Sequence, residues 1–348
     1  MRIAQVAPLF ERVPPKYYGG TERVVSYLTE ELVRQGHDVT LFASGDSETK
    51  AHLVAGCRRA LRLDKHCIDQ TAHHVLMLEH VAQRASEFDA IHFHVDYQHF
   101  PLSRRTAMPQ LTTLHGRLDI PDLKPLYREF RDMPVVSISN AQRAPLPGAN
   151  WVATVYHGLP EDLFRFEANP GQYLAFLGRI SPEKRVDRAI EIARRLGLPL
   201  KIAAKVDDVD RAYFEEYIEP LLEEPHVEYQ GEIGDGEKGE FLGCAIALLF
   251  PIDWEEPFGL VMIESFACGT PVVAYRRGSV PEVIEDGVTG FVVSNLSEAV
   301  EAVKRVAHID RSACRRCFEE RFTVARMAAD YVRLYRDISG ERRLVSAV

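Results

Sequence analysis

The run Trp254-Glu255-Glu256-Pro257-Phe258-Gly259-Leu260-Val261-Met262-Ile263-Glu264 places two carboxylates, Glu256 and Glu264, eight residues apart. A helix continuing from Phe258 carries Glu264 about a turn and a half along its length and leaves Glu256 in the loop at its mouth. The free N–H groups and positive dipole end of such a helix suit anionic or polyhydroxylic ligands. Each carboxylate can accept hydrogen bonds from sugar or ribose hydroxyls. A capped helix with exposed acids explains the same spacing, so other segments must decide.

A second constellation is Gly178-Arg179-Ile180-Ser181-Pro182-Glu183-Lys184. Ser181 reads as an N-cap, Pro182 as the first helical residue and Lys184 as a cation in the first turn. A cation there opposes the helix dipole unless an anion binds. Arg179 and Lys184 together can clamp a diphosphate, Arg through its fork and Lys as a point charge, or can form a solvated basic face. Gly19-Gly20-Thr21-Glu22 opens another helix, where paired glycines admit a close backbone approach and Gly20 or Thr21 can cap. As a bare turn and cap the segment is equally ordinary.

Histidines supply the third group. His92 and His94 share one face of a strand that ends near Asp96, which suits polar residues at a cleft rim better than a metal site lacking a third ligand. His115, at the next strand end before Gly116, can reach a sugar hydroxyl or the reacting oxygens, or serve as a structural histidine. The acidic run Asp207-Asp208-Val209-Asp210 precedes a helix, and capping accounts for it without a metal. Cys314 and Cys317 form a lone CxxC, half of a tetrahedral site at most.

These residues need a scaffold, and short apolar runs alternating with amphipathic segments predict βαβ units and parallel sheets. In the first half the predicted strands are 2–7, 38–43, 90–94, 110–114 and 135–138, with helices over 21–35 and 75–86. In the second half they are 173–177, 200–204, 227–229, 245–250, 272–274 and 291–293, with helices over 182–195, 210–222, 235–243, 259–267 and 297–306. The loop-rich 157–171 stretch joins the halves. The expected organisation is an N-terminal Rossmann-like domain over 1–160, a C-terminal one over 161–320, and residues 321–348 as a helix returning to the first domain with a frayed tail after Ser339. A ligand cleft between the halves is expected, because parallel sheets present binding loops at their strand ends.

The 348 residues are 46% hydrophobic and 27% charged, with a net charge of −9, which fits a soluble two-domain protein and disfavours nucleic-acid binding. The acidic excess lies in residues 161–348, so a phosphate ligand must be held by local donors. No apolar run reaches the ~18 residues of a membrane span, and charges interrupt the N-terminus where a signal peptide has its apolar core. Six cysteines at this length suggest a reducing compartment, and the cytoplasm is expected.

Across nearly its whole length the chain resembles the family-4 retaining glycosyltransferases of the GT-B fold. The matching segments are YYGGTERVVSYLTEEL, LVRQGHDVTLFAS, TTLHG, SISN, YHGLPEDLF, FLGRISPEKRVDRAIEIA and WEEPFGLVMIESFACGTPVVAYRRGSVPEVIEDGVTGFVV. The last two, in this order, are the most specific. The resemblance implies an α/β protein with two Rossmann-like domains, binding a nucleotide-sugar donor mainly through the C-terminal domain and an acceptor through the N-terminal one. It implies that Arg179 and Lys184 hold the diphosphate, Glu264 the ribose and Glu256 the sugar hydroxyls. Amides around Phe258, Gly259 and Leu260 support the sugar and phosphate, Gly19 and Gly20 approach the diphosphate, and His115 contacts the transferring sugar. The segment ending in Ile233 occupies the place of the base contact. His94, Asp96 and Arg117 are the acceptor-side candidates.

Two departures stand out: Lys205-Val206-Asp207-Asp208 replaces a glycine-rich turn, and His157-Gly158 replaces the usual Asn-Gly. The segment pattern is also similar to a bacterial branch that includes glucosyltransferases acting on tetrahydrobiopterin. The expected activity is metal-independent transfer of a hexose, glucose in the first instance, from a UDP-linked donor to a small or glycan hydroxyl acceptor, with no cofactor beyond that co-substrate. A GT-B-like epimerase or phosphorylase, or a non-catalytic nucleotide-sugar-binding subunit, are the alternatives; a homo-oligomer stays open.

Overall fold

The computed structural model describes residues 1–16, 19–62, 64–106 and 108–340. Tyr17 and Tyr18, ahead of the paired glycines, and the expected tail from residue 341 onward lie outside the described residues. The chain divides into two compact units, Met1–Gly158 together with the chain from Val324 onward, and Leu159–Thr323.

The first unit is built on a seven-stranded sheet of β1 (Arg2–Val6), β2 (Asp38–Ser44), β3 (His52–Cys57), β4 (Ala90–Phe93), β5 (Gln110–Thr113), β6 (Pro134–Ser137) and β7 (Asn150–Thr154), in the order β3-β2-β1-β4-β5-β6-β7. All its neighbours pair in parallel. Edge strands β3 and β7, both only partly buried, escaped the sequence reading. Strand β4 is buried throughout, as a central parallel strand covered on both faces should be.

Helix Gly20–Arg34 buries Val24, Val25, Leu28 and Leu32, a stripe of helical period. It ends where Gly36, at φ 84, lets its own N–H reach Val33 O and that of His37 reach Leu32 O, the paired bonds of a Schellman stop. Helix Val324–Ile338 buries Met327, Ala328, Tyr331, Val332 and Tyr335 and packs against helix Gly20–Arg34, β4 and β5. The helix from Val324 therefore packs as part of the first unit.

The second unit carries a six-stranded parallel sheet of β8 (Tyr173–Ile180), β9 (Leu200–Val206), β10 (Val227–Gly231), β11 (Ala245–Phe250), β12 (Val272–Tyr275) and β13 (Gly290–Val293), in the order β10-β9-β8-β11-β12-β13. Two Rossmann-like α/β units are thus present. In each sheet the order reverses next to the first strand, between β1 and β4 and between β8 and β11. Loops leaving the carboxyl ends of those strands diverge and open a crevice for ligand.

Three local expectations are corrected. The helix predicted from Pro182 starts at Val186, preceded by Arg185 at φ 55. Residues 181–184 instead close a turn in which Lys184 N–H donates to Ser181 O at 3.1 Å. Arg185 is held outside the helix by Asp187 and Asp253, at 2.7 and 3.2 Å. The 210–222 helix is broken into a 3-10 turn, a helical turn, a π segment over Phe214–Ile218 and a short helix containing Pro220. Neither Gly20 nor Thr21 is a cap: Gly19, at φ 153, holds the N-cap position and Gly20 is already helical.

Candidate functional site

In the second unit the switch between β8 and β11 gathers the residues marked in the sequence. Arg179 belongs to β8 itself, because that strand runs on to Ile180 and pairs Arg179 with Lys205 of β9. Its guanidinium is surrounded by carboxylates: it pairs with Glu183 and lies 3.5 Å from Asp207 and 3.6 Å from Asp210. Lys205 takes the other oxygen of Asp207 at 2.7 Å. The acidic run thus neutralises two cations rather than simply capping a helix. Burial raises the Asp210 carboxyl above the usual range, while Arg179 pulls it down.

Across the switch point, the turn after β8 and the loop after β11 are joined. The main-chain N–H of Asp253 donates to Glu183 O at 2.8 Å, and Arg188 reaches Pro251 O and the Asp253 carboxylate. Lys184 and Glu256 form an ion pair with side chains only 16% and 10% exposed. Trp254 Nε1 donates to the same Glu256 oxygen at 3.1 Å, and the Lys184 ammonium lies over the Trp254 and Phe250 rings, 4.9 and 5.4 Å from their centroids. Lys184 is therefore not a first-turn cation opposed by a dipole. It is a cation held by a carboxylate and two aromatic faces.

The loop bearing Glu256 is strapped from behind. Gly278 N–H donates to Glu255 Oε2 at 2.7 Å, Ser279 N–H to Glu256 O at 2.9 Å and Ser279 Oγ to Phe258 O at 2.7 Å. Gly278, at φ 51, packs so closely that a Cβ there would lie 2.2 Å from Glu256 O and 2.4 Å from its N. Beyond the loop, Gly259 at φ 81 turns the chain into helix Leu260–Ala267. Its left-handed backbone suits glycine, so the turn that aims the helix N-terminus is written in the residue type. Glu264 is buried one turn in and pairs with Lys238 Nζ at 3.0 Å, while Lys238 also meets Asp235 at 3.3 Å. Ile233 is buried just before helix Asp235–Gly243, which carries Lys238. Lys238, Gly278 and Ser279 escaped the sequence reading, since a partner distant in sequence leaves no spacing signal, and Trp254 was quoted there without a role.

In the first unit, strand ends β4 and β5 bring His94 and His115 together, His94 Nδ1 lying 2.9 Å from His115 Nε2. Burial holds the His115 imidazole down to about 3, so it is neutral. Its ring stacks on His157, with centroids 5.3 Å apart. His92 and His94 are not at a rim. They are buried, with His92 bonded to Tyr335 and Thr113 and the second nitrogen of His94 bonded to Gln5. With both nitrogens engaged, His94 can reach a ligand only through His115.

Asp96 sits at φ 51, left-handed for a residue with a Cβ, and burial pushes its carboxyl up to about 6. Strained strand-end residues of this kind cluster at functional sites. Arg117 makes a two-toothed pair with Asp119, both bonds 2.7 Å. Gly19 packs on Pro15 tightly enough that a Cβ would lie 2.8 Å from that ring. Among the described residues no three His, Cys, Asp or Glu side chains group to hold a metal ion.

Residues 18–157 match the family described as Glycosyltransferase Family 4, and residues 161–320 match Glycosyl transferases group 1. The chain belongs to the family-4 glycosyltransferases. Nearly its whole length aligns with alpha-maltose-1-phosphate synthase of Mycolicibacterium smegmatis at 24% identity, over 96% of this chain and 100% of that one. An uncharacterised 41.2 kDa protein from the cps region of Klebsiella pneumoniae is 29% identical over 47% of this chain, which spans about half of that relative, 46% of its length. A solved Anabaena protein in complex with UDP and glucose superposes with a TM-score of 0.75 at 18% identity, covering 96% of this chain and 98% of that one. That likeness places the glycosyltransferase in the GT-B fold. Among its described residues no helix is long and apolar enough to cross a membrane.

Proposed function

We propose that this glycosyltransferase transfers a hexose, glucose in the leading reading, from a UDP-linked donor to a hydroxyl acceptor with retention of anomeric configuration. The observation that carries the reading is the ion pair of Lys184 with Glu256 at the β8/β11 switch point, beside the mouth of helix Leu260–Ala267. Its cation and carboxylate match the two ends of a sugar diphosphate. The Anabaena neighbour holds UDP and glucose on the same fold, which supports a UDP-linked hexose as the first donor to test.

Donor binding exchanges partners. The diphosphate takes Lys184 and Arg179 from the carboxylates that hold them, and Glu256, relieved of its lysine, accepts hydrogen bonds from the sugar hydroxyls. Amides of Phe258, Gly259 and Leu260 face the sugar and phosphate, Glu264 takes the ribose hydroxyls, and Ile233 lies at the base. Gly19 and Gly20 are assigned to the diphosphate, His115 to the transferred sugar, and Asp96 and Arg117 to the acceptor side.

The anomeric C–O bond breaks with its electrons leaving on the β-phosphate, and two cations with a helix N-terminus stabilise the charge that develops there. The acceptor oxygen bonds to the anomeric carbon from the same face, and its proton goes to the departing phosphate. UDP and a glycoside are the products. No metal enters this reading, since side chains supply the positive charge at the phosphate, and neither glutamate acts as nucleophile, acid or base.

A panel of nucleotide sugars, assayed for nucleotide release with and without candidate hydroxyl acceptors, tests the activity. Acceptor-dependent UDP release is expected. Conversion of the nucleotide sugar without acceptor would favour an epimerase, and an inverted anomeric centre by NMR would overturn the same-face mechanism.

A further inference from the structure

Behind His115 runs a buried chain of polar groups for which the transfer chemistry has no direct use. His115 Nε2 meets His94 Nδ1 at 2.9 Å, His94 Nε2 meets Gln5 Oε1 at 2.8 Å, and Gln5 Nε2 donates to Tyr335 Oη at 3.0 Å. Tyr335 Oη also meets His92 Nδ1 at 2.7 Å, His92 Nε2 meets Thr113 Oγ1 at 2.7 Å, and Thr113 Oγ1 meets Tyr331 Oη at 2.8 Å. The chain thus ties three strands, β1, β4 and β5, to helix Val324–Ile338.

Donor counting restricts this chain to two states. Burial keeps His92, His94 and His115 neutral, so each ring carries a single N–H. With the Gln5 carbonyl facing His94, His94 donates from Nε2 and accepts at Nδ1, so His115 donates from Nε2. On the other side, the Gln5 amide donates to Tyr335, leaving the Tyr335 hydroxyl to donate to His92 Nδ1. Turning the Gln5 amide over reverses every one of these links and puts the His115 proton on Nδ1. That Nδ1 is buried and has no hydrogen-bond partner among the described residues. An orphaned buried N–H is rarer in folded proteins than an unused acceptor, so the first state is the stable one.

We propose that Gln5 and Tyr335 are positioning residues that hold His115 as its Nε2–H tautomer, so that its bare Nδ1 accepts a hydrogen bond from a hydroxyl of the transferred sugar. The hydroxyl contact rests on the assignment of His115 to that sugar, whereas the tautomer does not. A donor lacking the contacted hydroxyl loses its partner at a buried acceptor. The specificity of the site thus depends on two residues with both polar contacts inside the protein.

Long-range ¹H–¹⁵N NMR of histidine-labelled protein reads the tautomer directly, by whether Nδ1 of His115 shows the shift of a bare or a protonated ring nitrogen. A bare Nδ1 is expected in the wild type. In Tyr335→Phe, which keeps the ring but removes the oxygen that orders the Gln5 amide, a protonated fraction is expected. Turnover in that variant should fall roughly fivefold, the size of one lost hydrogen bond. Packing alone would not move the tautomer.

A protonated Nδ1 in the wild type overturns the proposal without any variant having to fold. So does a folded Tyr335→Phe protein with unchanged tautomer and turnover. If the tautomer behaves as stated but His115→Ala keeps full turnover, the hydroxyl contact is overturned. If no nucleotide sugar is turned over by the wild type, the proposed function fails, and the NMR readout still decides the tautomer.

Discussion

Lys184 and Glu256 hold each other in the unliganded protein, so each is poised but neither is idle. Removing either leaves the other a poorly solvated charge and removes a contact to the transition state. Lys184→Ala and Glu256→Ala should each lower turnover by about 10²-fold or more; steady-state rates within a few-fold of wild type in both would refute the site. Gly278 offers an independent test of the strap behind Glu256. Gly278→Ala introduces positive-φ strain and forces a methyl onto the Glu256 main chain, and Gly287→Ala introduces the strain alone, because Gly287 at φ 79 has open space at its Cβ. Gly278→Ala should cost about 1–3 kcal/mol and lower turnover as well, whereas Gly287→Ala should affect only stability. Equal rates in the two variants would detach the strap from function.

The elements that carry the site differ in how they hold polar groups. Strands β4 and β5, with the loops beyond them and the one after β7, bury His92, His94, His99, His115 and His157, each lowered by burial, His99 and His115 to about 3. In the unfolded chain the same side chains titrate near about 6.5. Below that pH the unfolded state binds protons that the folded state refuses, so stability is full above about 6.5 and is lost as pH falls from there toward about 3. Each proton so taken up adds about 1.4 kcal/mol per pH unit to the slope. Urea midpoints for the first unit should drop between pH 7.5 and 5. A midpoint that holds or rises on acidification would contradict the buried neutral state of this cluster.

At the scale of the molecule, the two units are separate compact bodies with their own sheets, and the proposed donor groups cluster in the second. Calorimetry with UDP should therefore raise chiefly the transition belonging to Leu159–Thr323. The stabilisation grows as the logarithm of ligand concentration, about 2.7 kcal/mol at a hundred times the dissociation constant. Lys184→Ala should blunt that shift. A UDP shift of equal size in the variant would remove Lys184 from the diphosphate.

Most of the scaffold was legible in the residues themselves, because burial in parallel sheets demands apolar runs and amphipathic helices demand a period, both of which are local. That is why β11 over Ala245–Phe250 and the helix over Asp235–Gly243 matched their expected bounds, and why Gly36 marked a helix end. Arg179, Lys184, Glu256 and Glu264, the residues of the proposed donor site, were singled out by type and by family resemblance. Their partners were not. Glu256 meets a lysine 72 residues away, Glu264 one 26 residues away, and His92 a tyrosine 243 residues away. Such pairings depend on where the sheet order reverses and on which helix covers which face. The 182–195 helix is present but starts late, at Val186, for the same reason: its first residues are drawn off by Asp253 and by the turn at Lys184. Local propensity wrote the strands, helices and turns, and tertiary packing alone decided which charges neutralise which and which histidine nitrogen is left bare.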